Sequence, residues 1–188
     1  SQIIKYVLVS PRVFSAGGDL YRLAEFIDIS LSKNKEKDLV ESEQKFHSVF
    51  EQAAVGIARV SPQGVFLEVN QKLCDILGYS KEMLIKKTFQ ELTHPDDLEK
   101  DLDLVEKMLR NELETYSMEK RYFHKSGSVI WANLTVSLVS SPNGEPKYFI
   151  SVIQDISQRK KNETRLEIQA THDSLTGLCN RTLLDLEM

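Results

Sequence analysis

Four histidines and two cysteines carry the acid–base, nucleophilic and soft-ligand potential of this 188-residue chain, and their spacing organises none of it. Cys74 and Cys179 stand far apart, in no metal-ligand pattern, and suggest neither a zinc site nor a disulfide. Cys74, within Leu73-Cys74-Asp75, reads as a free buried thiol. His94 opens the run His94-Pro95-Asp96-Asp97, where it caps a helix or faces water; His124 flanks a turn and reads as solvated; His47 and His172 fall on linkers. What remains is hydrogen bonding by carboxylates at the ends of elements. Asp28 and Asp155 each head an Asp-Ile-Ser triplet at a strand end, directly before a helix. A carboxylate there accepts backbone N–H groups and complements the helix dipole, worth about 1 kcal/mol. The residues leave open whether this cap acts alone or also couples sheet movement to helix angle.

The elements that position these triplets repeat. Residues 3–39 align without a gap on residues 130–166, with Ile3 on Ile130, Val9-Ser10 on Val136-Ser137, Gly17 on Gly144, Tyr21 on Tyr148 and Leu39 on Leu166. A period of this length is a repeated domain rather than a solenoid. The first copy lacks its beginning, which reads as the tail of one domain followed by a full second copy cut from a longer modular protein. Residues 3–14 and 20–30 are β-rich around a hairpin turn at Gly17-Gly18. Without covering helices this hairpin is expected either to pair with another sheet edge, of this or a second chain, or to be mobile. Residues 31–50 turn helical, with Leu39, Phe46, Val49, Phe50 and Ala53 at helical spacing and the Lys33–Lys37 cluster on a solvated surface.

A compact domain starts near Glu43. Ile57 to Val60 and Val65 to Val69 read as strands; Asn70 caps a helix over 71–77, which Gly78 ends in left-handed conformation. Ser80 opens a further helical turn to Lys86. Pro95 with two carboxylates starts a longer helix to about Asn111, with Leu98, Leu102, Val105 and Leu109 as its expected buried stripe. Strands follow at about 115–124, 128–140 and 146–156, with Ala132, Leu134 and Val136 alternating against Asn133, Thr135 and Ser137. The order predicts an α+β fold: a five-stranded antiparallel sheet with short helices on one face. A second linker helix, 158–171, carries Leu166 and Ala170 at i, i+4 spacing.

Net charge is −4, so no basic surface draws the chain to nucleic acid or anionic lipid, and no apolar run is long enough to span a bilayer. The setting expected is a reducing cytoplasm, with an upstream membrane anchor in the parent left open.

Residues 43–157 resemble a PAS domain with its PAC segment. The resemblance rests on the order of Glu43 to Phe50, Gly56-Ile57, Asn70 with Leu77-Gly78-Tyr79-Ser80, His94 to Asp97, Lys125-Ser126-Gly127 with Trp131, Gly144, and Asp155-Ile156-Ser157. Residues 1–30 then resemble the last strands of a preceding PAS domain, 31–50 a linker helix running into the next one, and 158–172 a signalling helix. Asp173-Ser174-Leu175-Thr176-Gly177-Leu178-Cys179-Asn180-Arg181 resembles the opening of GGDEF domains, which make cyclic di-GMP from two GTP; 173–188 is its truncated start. The catalytic signature is missing from this chain, and Gly17-Gly18-Asp19 is not it, so the chain itself is no enzyme while the parent is read as a bacterial diguanylate cyclase.

The resemblance implies a ligand pocket bordered by Met118, Tyr122, Ala132, Leu134, Val136, Ser151 and Ile153, against the plain alternative that these fill a small core with few convergent polar groups. Trp131 is expected to anchor on the sheet's outer face. No cofactor is expected: helix 96–111 has no histidine for haem, and Cys74 is not in the motif of the flavin-binding LOV branch. Signal coupling falls to Asp155, Ser157, Leu166, Ala170, Asp173 and Arg181. The partners implied are a second copy in a homodimer and, where the pocket is filled, an unidentified small molecule, with no nucleic acid and no membrane contact. The function implied is regulation of a downstream GGDEF domain in cyclic di-GMP signal transduction. The alternatives are a ligand-free dimerisation scaffold and a sensor for a GGDEF–EAL phosphodiesterase.

Overall fold

A computed structural model of the chain describes residues 5–16 and 18–171. The chain divides between Val49 and Phe50 into two compact units. In the first, strands β1 (Val7–Ala16) and β2 (Asp19–Asp28) form a two-stranded antiparallel sheet of their own, followed by helix α1 (Ser30–Gln52), which runs on into the second unit. Gly18 takes φ +92°, which the tight reversal requires, while Gly17 lies outside the described residues. Among the described residues the hairpin pairs with no third strand. It is a regular ladder from Val7↔Asp28 to Ala16↔Asp19, and Val7, Val9, Val13, Leu23 and Phe26 are exposed. Along α1, Leu39, Phe46 and Val49 are exposed too, as are the charged side chains of Lys33–Lys37.

The second unit holds β3 (Gly56–Val60), β4 (Phe66–Val69), α2 (Gln71–Leu77), α3 (Lys81–Leu84), α4 (Phe89–Leu92), α5 (Pro95–Leu109), β5 (Thr115–Phe123), β6 (Val129–Ser140), β7 (Pro146–Asp155) and α6 (Ser157–Thr171). The sheet is five-stranded and antiparallel in the order β4-β3-β7-β6-β5, and α2 to α5 lie with its inner face around one core. This is the expected α+β architecture. Strand parity sorts the faces: Tyr116, Met118, Lys120 and Tyr122 of β5, Ala132, Leu134 and Val136 of β6, and Phe149, Ser151 and Ile153 of β7 are buried, and their neighbours in sequence turn outward.

Local signals set the element ends. Asn70, fully buried, accepts from the Leu73 and Ile57 amides (3.0 and 2.9 Å) and donates to the carbonyls of Phe50 (2.8 Å) and Val55 (3.0 Å), so one side chain caps α2 and ties down the approach to β3. Gly78 ends α2 at φ +75°, and a Cβ there would run into the His124 ring. His124 is therefore half-buried rather than solvated, with Nδ1 hydrogen-bonded within the 124–128 turn. His94 is the N-cap of α5, accepting from the Asp96 amide. Helix α4, absent from the sequence reading, is set by a capping box between Thr88 and Glu91.

The buried stripe of α5 also differs from expectation. Val105 is buried and Leu98 and Leu109 pack against the core as expected, but Leu102 is exposed, and Asp101 and Met108 are buried with Leu104 beside them. A charged residue can hold the inner position because the sheet supplies its partners.

Candidate functional site

Lys120 and Asp101 are the charged side chains buried in this core, at 0% and 1% exposure. They approach from opposite layers: Lys120 from the inner face of β5, Asp101 from α5. Lys120 Nζ pairs with Asp101 Oδ2 and donates to Thr93 Oγ1 (3.0 Å), which itself donates to the Phe89 carbonyl (2.8 Å). Tyr116 Oη donates to Asp101 Oδ1 (2.7 Å). The ammonium also stands over the rings of Tyr122 (4.3 Å to centroid) and Phe89 (5.2 Å). Both carboxylate oxygens and two of the ammonium's contacts are thus satisfied, as a buried ion pair requires. Burial and the adjacent Asp101 carboxylate push the Tyr116 phenol well above its ordinary range, so it stays a neutral donor, and burial raises the Tyr122 phenol as well.

This network forms one wall of a cavity of about 20 Å³, room for about one water. Of the residues expected to border a pocket, Tyr122, Leu134, Val136, Ser151 and Ile153 line it, and Met118 and Ala132 are buried in the same core. The expectation of few convergent polar groups does not hold, because Asp101, Tyr116 and Lys120 line the same wall. Sequence reasoning missed these three. One signal was present: Lys120 sits at i+2 from Met118 and i−2 from Tyr122, which places its side chain on the inner face of the strand. Cys74 is buried, and burial raises its thiol, which agrees with an inert structural cysteine.

The residues assigned to signal coupling divide. Asp155 Oδ1 accepts from the Ser157 amide (2.8 Å), and Ser157 Oγ accepts from the Trp131 amide (3.1 Å), while the Ile156 amide reaches the Trp131 carbonyl (2.9 Å). The triplet therefore fastens the start of α6 to β6. Leu166 is exposed at 65%; the side chain of Ala170 and all of Asp173 and Arg181 lie outside what the structure describes.

A second fastener was not foreseen. Glu119, outward on β5, accepts from Lys160 (2.7 Å) and Arg159 in the first turn of α6, and these hydrogen bonds hold its carboxyl below the usual range, Lys160 contributing most. Trp131 is on the outer face as expected, with both Lys160 (5.3 Å) and Arg121 (5.4 Å) over its ring. Arg121 in turn donates from its backbone N (2.8 Å) and Nε (2.9 Å) to Asp97 and from Nη2 to Asp96 (3.0 Å) at the start of α5. Strand β5 thus makes polar contacts with both α5 and α6. Among the described residues no cluster of His, Cys, Asp and Glu is arranged to hold a metal, and no helix is long and apolar enough to cross a membrane.

Compared with known proteins, residues 44–156 match the sequence model of the PAS fold. A probable diguanylate cyclase of Escherichia coli K12, DgcE, is 50% identical over 127 residues, 68% of this chain and 12% of that protein. The sensor histidine kinase TmoS of Ectopseudomonas mendocina is 31% identical over 128 residues, again 68% of this chain and 13% of its own length. The chain thus spans about an eighth of these relatives. The crystal structure of a PAS domain from Colwellia psychrerythraea superposes with a TM-score of 0.57 at 23% identity, over 62% of this chain and 98% of that one.

Proposed function

The chain belongs to the PAS family, and we propose that it is the sensory and dimerisation segment of a diguanylate-cyclase-type signalling protein, regulating a downstream GGDEF domain. The single observation that carries this reading is the double fastening of α6 to the sheet, by the Asp155–Ser157–Trp131 cap and the Glu119 clamp, at the point where the chain leaves the PAS unit. The diguanylate cyclase relative, half identical over the matched region, supplies the output. As the resemblance to the opening of a GGDEF domain implies, cyclic di-GMP would form where two GTP-bearing domains face each other, so the angle and phase of the connecting helices would set the rate. Exposed Leu39, Phe46 and Val49 on α1 and Leu166 on α6 fit a seam with a second copy, because a helix with a narrow apolar stripe gains stability from a partner. Such a switch needs two packings differing by a few kcal/mol, each favoured by one state of the sheet.

The test is an insertion in the full-length protein. One residue added after Arg165 rotates everything downstream by about 100°, and seven restore the phase. Cyclic di-GMP output should change sharply with one and largely recover with seven. Equal output from both insertions and the parent would make the helix a passive tether. A second reading, a scaffold that dimerises and senses no small molecule, is favoured by the cavity of about 20 Å³. Native mass spectrometry separates the two: a retained small molecule supports the sensor, a bare dimer the scaffold.

A further inference from the structure

We propose that strand β5 is the relay between cavity and output helix, with Lys120 as its inward contact and Glu119 as its outward one. The inference rests on the sensory reading above and names the residues that would carry its regulation. Adjacent residues of a strand point to opposite faces and are about 3.3 Å apart, so one backbone displacement moves both side chains. Here those two neighbours hold the two sides of the module. Lys120 is held by Asp101 and Thr93 at the cavity, and Glu119 holds Lys160 and Arg159 on α6. Strand β5 is an edge strand, paired along its length with β6 and bridged on its other side at Tyr122 by Thr93, so it can shift without breaking the centre of the sheet.

The outward contact has a ready alternative. Glu163, one turn along α6, already lies 3.6 Å from Lys160 and 3.8 Å from Arg159. If Glu119 withdraws, both cations keep a carboxylate on their own helix. That gives α6 two electrostatically closed arrangements, clamped to β5 or self-paired. On the inner side, an occupant that draws a hydrogen bond from Lys120 must compete with Asp101 or Thr93, and any such change reaches Glu119 through one peptide unit.

The test is hydrogen exchange of residues 160–165 in the 188-residue chain. Glu119→Gln should speed exchange there about fivefold, the scale of losing a partly exposed clamp, with the main thermal transition unchanged. The decisive variant is Lys120→Met/Asp101→Leu, which removes both buried charges and leaves neither unpaired. It touches no atom of α6, yet should speed exchange at 160–165 to a similar degree. Tyr116→Phe, which removes one hydrogen bond to Asp101, should act in the same direction more weakly and serves if the double variant does not fold. Ser117→Ala, outward on the same strand and in contact with neither site, should leave α6 as it is. Wild-type exchange in α6 for both inner variants, or equal acceleration by Ser117→Ala, overturns the relay. Because the readout is α6 itself, loss of the cyclase reading with coupled exchange intact would fail the proposed function and not this inference.

Discussion

The chain contains one supersecondary unit twice, at residues 7–30 and at 134–157, and the two copies have the same ends and opposite interiors. Asp28 Oδ1 accepts from the Ser30 amide (2.9 Å), Ser30 Oγ from the Tyr6 amide (2.8 Å), and the Ile29 amide reaches the Tyr6 carbonyl (2.9 Å). These bonds match those of Asp155, Ser157, Ile156 and Trp131 one for one. The interiors diverge. Leu134, Val136 and Ile153 are 3%, 4% and 2% exposed, while their counterparts Val7, Val9 and Phe26 are 48%, 49% and 69% exposed. Register differs as well. Leu134 stands opposite Ile153, but Val7 stands opposite Asp28, two residues away from the position that the gapless alignment implies. The tight reversal between Ala16 and Asp19 replaces the longer 141–145 turn and accounts for the slip. An even slip preserves which residues share a face, so the apolar side of the hairpin survives it. A cap is a contact among residues near in sequence or directly cross-strand, and it forms wherever the triplet meets a strand end. Burial depends on a second layer, which the described structure provides for one copy alone.

Four experiments bear on this contrast, in order of expected effect. Lys120→Met leaves Asp101 buried and charged without its cation, and should lower unfolding stability by about 3–5 kcal/mol in a denaturant titration. A loss below about 1 kcal/mol would show that the layer above the sheet does not hold this pair as drawn. Next comes a matched pair of truncations. Ile153→Ala should cost about 2–4 kcal/mol, and its counterpart Phe26→Ala less than about 0.5 kcal/mol in the main transition. Equal losses would mean that the hairpin belongs to the same cooperative unit and would dissolve the contrast. Third, Ser157→Ala should cost about 1 kcal/mol, whereas Ser30→Ala should speed amide exchange at Tyr6 without moving the main midpoint.

The smallest effect is one of pH. Hydrogen bonds from Arg121 hold Asp97 below the ordinary carboxylate range in the second unit. Folding therefore favours its deprotonated form. The stability it lends is fully present above the unfolded value of about 4 and drains away as pH falls through the lower folded value. Asp97→Asn should flatten the acid limb of the stability curve. In the hairpin copy, Asp28 is lowered by its hydrogen bonds with Ser30, so acid should loosen that cap without a step in the main transition.

Much of this fold was legible from residue types at short range. Asn70 and Gly78 marked the two ends of α2, Pro95 with Asp96 and Asp97 marked the start of α5, and alternation in β6 assigned its faces. The misread stripe of α5 has a physical cause. A hydrophobic pattern assigns a buried face by its apolar members, and Asp101 breaks that pattern because its neutralising partners, Lys120 and Tyr116, come from another element. The Glu119 clamp was invisible for the same reason, since Arg159 lies forty positions away.

By itself the sequence determined the class of fold, the caps of α2 and α5, the repeat and the inner parity of β6, because periodicity and capping are properties of neighbours along the chain. Tertiary structure decided the rest. It set which copy is covered, that a lysine and an aspartate share the core, that the cavity has room for about one water, and that β5 faces that cavity on one side and α6 on the other. Those outcomes depend on which residues of separate elements come within hydrogen-bonding distance, and packing alone settles that.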